Sequence, residues 1–164
     1  MTEEFRFIFR PIGIDVVWMK APDTGRGASP INYTLVLMPI ESKRWNLPCH
    51  VMGVVAGEKS ERCFIYIFFP NVLRALGKKS IASCTPSARE IHELGRALGR
   101  VVAHELVHTI APESPHTNAG LMCAWLKRYS LPHPRLLMSG ATAEEVISGL
   151  AVTVAARTAA AREK

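Results

Sequence analysis

The sequence has no apolar run near the ~20 residues that a membrane helix requires, which excludes a helical membrane span. It also has no CxxC pair. Cys49, Cys63, Cys84 and Cys123 stand apart, so neither a zinc knuckle nor a thioredoxin-like site is expected. Four cysteines allow three disulfide pairings or none, which leaves the redox compartment open. Met1 to Arg10 is too charged for a secretory leader, and a secreted or periplasmic protein would require that a leader had been removed. No repeat, linker or low-complexity stretch interrupts the chain. Blocks of one charge are missing too. The 20 Lys and Arg outweigh 14 Asp and Glu for a net charge of +6, but the 13 Arg and 7 Lys are spread along the chain. Without a basic stripe or a known binding motif, a nucleic-acid partner is not expected.

What is present is a normal globular balance, 48% apolar and 21% charged, in 164 residues. That is enough for one domain over residues 1–164 with a real core. Thr2-Glu3-Glu4 followed by Phe5, Ile8 and Phe9 predicts a short amphipathic helix stopped by Pro11. A strand with Phe5, Phe7 and Phe9 on one face is the rival reading. Ile14 to Met19 reads as a strand, and residues 20–31, with Pro22, Gly25, Gly27 and Pro30, as a loop. Asn32 to Ile40, Val51 to Ala56 and Arg62 to Phe69 are short, β-branched or aromatic, and bounded by turn formers.

After Pro70 the pattern changes. Ser87-Ala88-Arg89-Glu90 is a capping box that opens the longest helix, which runs to about Ile110 before Pro112. On a helical wheel Ile91, Leu94, Leu98, Val101 and Val102 form the core stripe, and Arg89, Glu93, Arg96 and Arg100 the solvent face. Val107 and Ala111 place apolar groups on the charged arc, so the helix is expected to enter the interior at its C-terminal end. A second box, Thr142-x-x-Glu145, opens a last helix reaching about Arg157. Strands followed by helices predict an α+β fold: a small mixed β-sheet packed against the long helix, with a C-terminal helix.

The long helix carries His104-Glu105-Leu106-Val107-His108. Residues i and i+4 lie about 40° apart on a helix, so both imidazoles can reach one metal ion, with the glutamate placed to handle a water. Both histidines fall at the boundary of the core stripe, where a site would open onto a cleft. His116 follows eight residues later, across Ala111-Pro112-Glu113-Ser114-Pro115, and Gly120-Leu121-Met122 comes soon after. His50, His92 and His133 carry no partner pattern and read as exposed or capping residues.

The stretch HELVHTIAPESPHTNAGLM resembles the metzincin clan of zinc endopeptidases, and more closely small bacterial zincin-type proteins. The resemblance implies His104, His108 and His116 as ligands of Zn2+, Glu105 as general base, and Met122 as the methionine packed beneath the metal. It also implies a zincin-like fold and a peptide substrate lying along an exposed sheet edge, for which Arg62 to Phe69 is the candidate. Ile14 to Trp18 looks like the first strand of such domains, and Thr2 to Arg10 like the remnant of the helix before it. Two positions depart from the clan: Ala111 replaces its glycine, and the turn to His116 is two residues longer. Ala124 stands where some members carry an aromatic residue, and Tyr129 is assigned no role.

The reading that follows is a zinc-dependent endopeptidase whose metal-bound water is activated by Glu105. The alternatives are a catalytically silent zinc-binding module of the same fold, or a zincin that takes a glutamate as third ligand. Glu144 and Glu145 are the candidates for that ligand, with Glu113 nearer in sequence.

Overall fold

The computed structural model describes residues 1–19, 31–57, 63–78, 86–126, 130–133 and 136–162. Most of the loop expected over 20–31, together with Arg62, Cys84 and Tyr129, lies outside them. The elements are helix α1 (Thr2–Phe9), strands β1 (Tyr33–Met38), β2 (Gly53–Ala56) and β3 (Cys63–Phe68), and helices α2 (Phe69–Ala75), α3 (Ala88–Ile110) and α4 (Gly140–Arg162). The three strands form one sheet in the order β1-β3-β2, with β1 parallel and β2 antiparallel to β3. The architecture is therefore α+β with a small mixed sheet.

Why α1 forms is visible in its burial. Phe5, Ile8 and Phe9 are buried and Phe7 is exposed, the helical spacing rather than the alternating one. Phe5 and Phe9 stack at 4.5 Å between ring centroids. In β3, Ile65 and Ile67 join α1 and the buried face of α3 in one core cluster. The α3 boundaries follow their signals. Glu90 N donates to Ser87 Oγ at 3.3 Å, and Ser87 N donates back to the Glu90 carboxylate at 3.0 Å. Val107 is fully buried and Ala111 nearly so, so the helix does pass into the interior at its C-terminal end.

Several expectations are corrected. Arg62 to Phe69 was expected to supply an exposed sheet edge, but β3 is the central strand. Its near-continuous apolar run, CFIYIF, is the signature of a strand enclosed on both sides. Ile14 to Met19 is not a strand. Ile14 and Val16 pack on the core while Asp15 and Val17 face out, so the alternation is real, but it joins no ladder among the described residues. Alternation reports which side chains face the core, not whether a neighbouring strand lies within reach. Helix α2 was not expected, although Pro70 in its first turn is a common helix opener.

Two further corrections concern α3 and α4. Ile91, assigned to the core stripe, is 58% exposed, because α3 begins beyond the edge of the core. Arg100, assigned to the solvent face, is wholly buried. Its guanidinium meets the Glu4 carboxylate, with Nε donating to Oε1 at 2.7 Å, and Nη1 donates to the carbonyls of Ser130 and Leu131 at 2.8 and 2.7 Å. Helix α4 starts earlier than expected. Thr142 N donates to Ser139 Oγ at 3.1 Å, which makes Ser139 the cap and leaves Thr142 buried in the first turn. Glu145 belongs to no capping box, and the helix continues past Arg157 to Arg162.

Helix α4 meets α3 at Gly149, where an added Cβ would lie 2.2 Å from the Ile110 carbonyl oxygen. No methyl group fits against a backbone oxygen at that distance.

Candidate metal centre

The last turns of α3 supply His104, Glu105 and His108. The chain then leaves the helix at Ala111 with φ −129° and ψ 74°, so no left-handed residue is used there. Instead Ser114 N donates to the Ala111 carbonyl at 2.9 Å, closing a turn with Pro112 and Glu113 at its centre. Proline at the first central position favours such a turn. Gly120 then supplies the left-handed step, φ +78°, that reverses the chain. Thr117 N donates to the Met122 carbonyl at 2.8 Å, and this pins the residue after His116 against the returning strand of chain.

These turns bring three imidazoles together. The Nε2 atoms of His104 and His108 lie 3.1 Å apart, those of His108 and His116 3.0 Å, and those of His116 and His104 3.3 Å. Around a four-coordinate zinc with bonds of ~2.0–2.1 Å, ligand nitrogens would stand about 3.3–3.4 Å apart. Among the described residues, this is the only cluster of three or more ligand-type side chains close enough to hold a metal ion. The three histidines could hold one. A set of three imidazoles suits zinc, copper, iron or nickel.

One proton position follows from the geometry. His104 Nδ1 lies 2.8 Å from the Leu121 carbonyl oxygen, and a carbonyl only accepts. Nδ1 therefore carries the hydrogen, which leaves the Nε2 lone pair facing the cluster. Burial holds the His104 pKa down at about 4, against the raising effect of that hydrogen bond; His108 and His116 add smaller lowering contributions. His104 is thus a neutral donor across the physiological range.

Glu105 is not one of the clustered ligands. Its carboxylate lies beneath the backbone of Gly53 on β2, where an added Cβ would come within 2.5 Å of Glu105 Cγ and 2.7 Å of its Oε1. A glycine inside a strand often marks such a close approach, and this was the signal that sequence reading passed over. Burial raises the Glu105 pKa to about 7. The charge of a bound cation would act in the opposite direction.

Met122 is buried in the core cluster. Glu113, Glu144 and Glu145 are exposed and take no part in the cluster. His92 and His133 are exposed, and His50, also exposed, stacks on Trp125. No disulfide joins Cys49, Cys63 and Cys123. No protein-family model, curated protein or solved structure matches this chain.

The convergence carries a direct test. His116→Ala should cost metal affinity more than the ~10–100-fold typical of losing a supporting contact. The double variant Glu144→Ala with Glu145→Ala should bind metal as the parent does. Metal content after desalting checks both, and the reverse outcome would move the third ligand to α4.

Proposed function

We propose that this protein is a zinc-dependent endopeptidase of metzincin-like architecture, with His104, His108 and His116 as the ligands and Glu105 as the general base. The observation that carries the reading is the arrangement at the end of α3. Three imidazole nitrogens converge within 3.3 Å of one another, while the intervening glutamate is not among the clustered ligands and packs against Gly53 on an edge strand. A purely structural zinc site more often closes its fourth position with another Cys or His, and no fourth ligand-type residue joins this cluster among the described residues.

His104, His108 and His116 would hold zinc, which when bound would supply Lewis acidity and a water of lowered pKa. Glu105 takes the proton from the attacking water and delivers it to the leaving amine. The Leu121 carbonyl keeps His104 in the tautomer that presents Nε2. Met122 anchors the floor of the site.

The substrate peptide is assigned to β2 rather than β3. β2 is an edge strand, antiparallel to its neighbour, and Gly53 lies directly over Glu105. An extended peptide added along that edge would make backbone hydrogen bonds while its scissile bond passes over the carboxylate.

The test is metal analysis of the purified protein, alongside cleavage of an unstructured protein and a peptide library, with and without a chelator. Stoichiometric zinc with chelator-sensitive cleavage is the expected result. Zinc without any cleavage would leave a zinc-binding module, and protein that takes up no zinc would remove the ligand assignment. Zinc should also stabilise the fold, since it joins α3 to the loop after Pro112. At free zinc 1,000-fold above Kd the gain is about 4 kcal/mol, so chelation should lower Tm by about 10 °C for a chain of this size. An unchanged melt of zinc-loaded protein after chelation would count against ligands on both segments.

A further inference from the structure

His50 and Trp125 are exposed rings from distant parts of the chain, yet they stack with centroids 4.5 Å apart and planes 16° from parallel. Each stands on a backbone held in place. His50 lies in a turn where Val51 N donates to the Pro48 carbonyl at 3.0 Å and the Asn71 side-chain amide donates to the Val51 carbonyl at 2.6 Å. Trp125 follows the turn in which Cys123 N donates to the Gly120 carbonyl at 3.3 Å, and Leu126 beside it is buried.

The positions of these two turns give the stack its meaning. Three residues after His50 comes Gly53, which covers the Glu105 carboxylate. Three residues before Trp125 comes Met122, next to the Leu121 carbonyl that holds His104. Three residues reach at most about 10 Å, so the stack ties the segment that covers Glu105 to the segment that holds His104. Adjacent strands need ~4.7–4.9 Å on each side, so rings in contact leave no room for a peptide to pass between them.

We propose that the His50–Trp125 stack is a clasp that closes one end of the substrate cleft and makes short peptides the preferred substrates. This rests on the peptidase reading above. Bound peptide can extend freely only away from the clasp, and a longer chain must first part the rings. An aromatic pair of this kind holds its closed form by a factor of about two to ten, which sets the size of the effect.

The experiment uses unstructured peptides that share one cleavable core and carry two, four or eight added residues on either side. The readout is the ratio of kcat/KM for long against short peptides, in the parent protein and in Trp125→Ala, His50→Ala and Trp125→Phe. Extension on one side should lower the parent's ratio by about two- to tenfold. The two alanine variants should remove that penalty, while Trp125→Phe, which preserves a stack, should retain most of it. A parent indifferent to length on both sides, or a Trp125→Ala variant with the parent's length profile, would overturn the clasp. If zinc-loaded protein cuts no peptide of any length, the same series is read as binding to zinc-loaded Glu105→Ala by calorimetry. A one-sided length penalty lost in the alanine variants then supports the clasp while the peptidase reading fails, and length-independent binding overturns the clasp itself.

Discussion

Glu105→Ala should keep zinc and fold while hydrolysis falls by about 10²–10⁴-fold, the usual cost of losing a general base. The separation of effects follows from where the side chain lies. The carboxylate packs under Gly53 rather than among the three Nε2 atoms, so its removal takes no ligand from the metal. Nor does it break a helix hydrogen bond, and alanine is the best helix former. Burying this carboxylate also raises its pKa, so truncation should not cost stability in the metal-free protein. The measurement is kcat/KM on a peptide substrate beside zinc content and Tm for the same preparation. Turnover within about tenfold of the parent, with zinc bound, would remove Glu105 from the proton-transfer role.

Glu4→Ala should destabilise the fold by about 3–5 kcal/mol. Arg100 is wholly buried, and Glu4 is its counter-charge, with Nη2 and Oε1 2.6 Å apart. Arg96 Nε adds a second contact to the same carboxylate at 3.4 Å. Removing the carboxylate leaves a desolvated guanidinium with only the carbonyls of Ser130 and Leu131 as partners. Those bonds satisfy Nη1 alone, leaving Nε and Nη2 unpaired and the charge unbalanced. For a chain of this length the loss corresponds to about 10 °C or more in Tm. The check is chemical denaturation of zinc-loaded Glu4→Ala and Glu4→Gln. The glutamine variant keeps a hydrogen-bond acceptor without the charge and should fall between the parent and Glu4→Ala. A Glu4→Ala protein within about 1 kcal/mol of the parent would mean that the pair does not form in solution.

The Glu4–Arg100 pair also shows where sequence reading stops. A helical wheel sorts residues by angle, and Arg100 shares its angle with Arg89 and Glu93, which remain on the outer side of α3. What buries Arg100 is the docking of α1 and of the segment at Ser130 and Leu131 across that face. Neither is within reach of any window centred on residue 100. Ile91 fails in the opposite sense: its angle matches the core, but none of the described residues covers it.

The local signals were sufficient for the limits of α3 and for the segments that became β1, β2 and β3, while for Thr2 to Arg10 they left helix and strand open until burial decided for α1. Each depends on contacts between residues a few positions apart: a capping box, apolar spacing, a proline that stops a helix. The pairing of His104 with His108 is equally local, because helix geometry alone puts both on one side. Bringing His116 to them was a matter of tertiary structure. It required the turn at Pro112 and Glu113, the left-handed Gly120 and the bond from Thr117 to Met122, whose combined path no periodicity encodes. The order of the strands lay beyond local reading as well. Sheet order is set by which strands share the core against α3, so the apolar run expected at an edge became the centre, and the short β2 became the edge above Glu105. The cover of Glu105 by Gly53 and the carbonyl that fixes the His104 proton come from segments far away in sequence. Residue types at fixed spacing determined which groups could act together; the packing of distant segments decided their protonation and their burial.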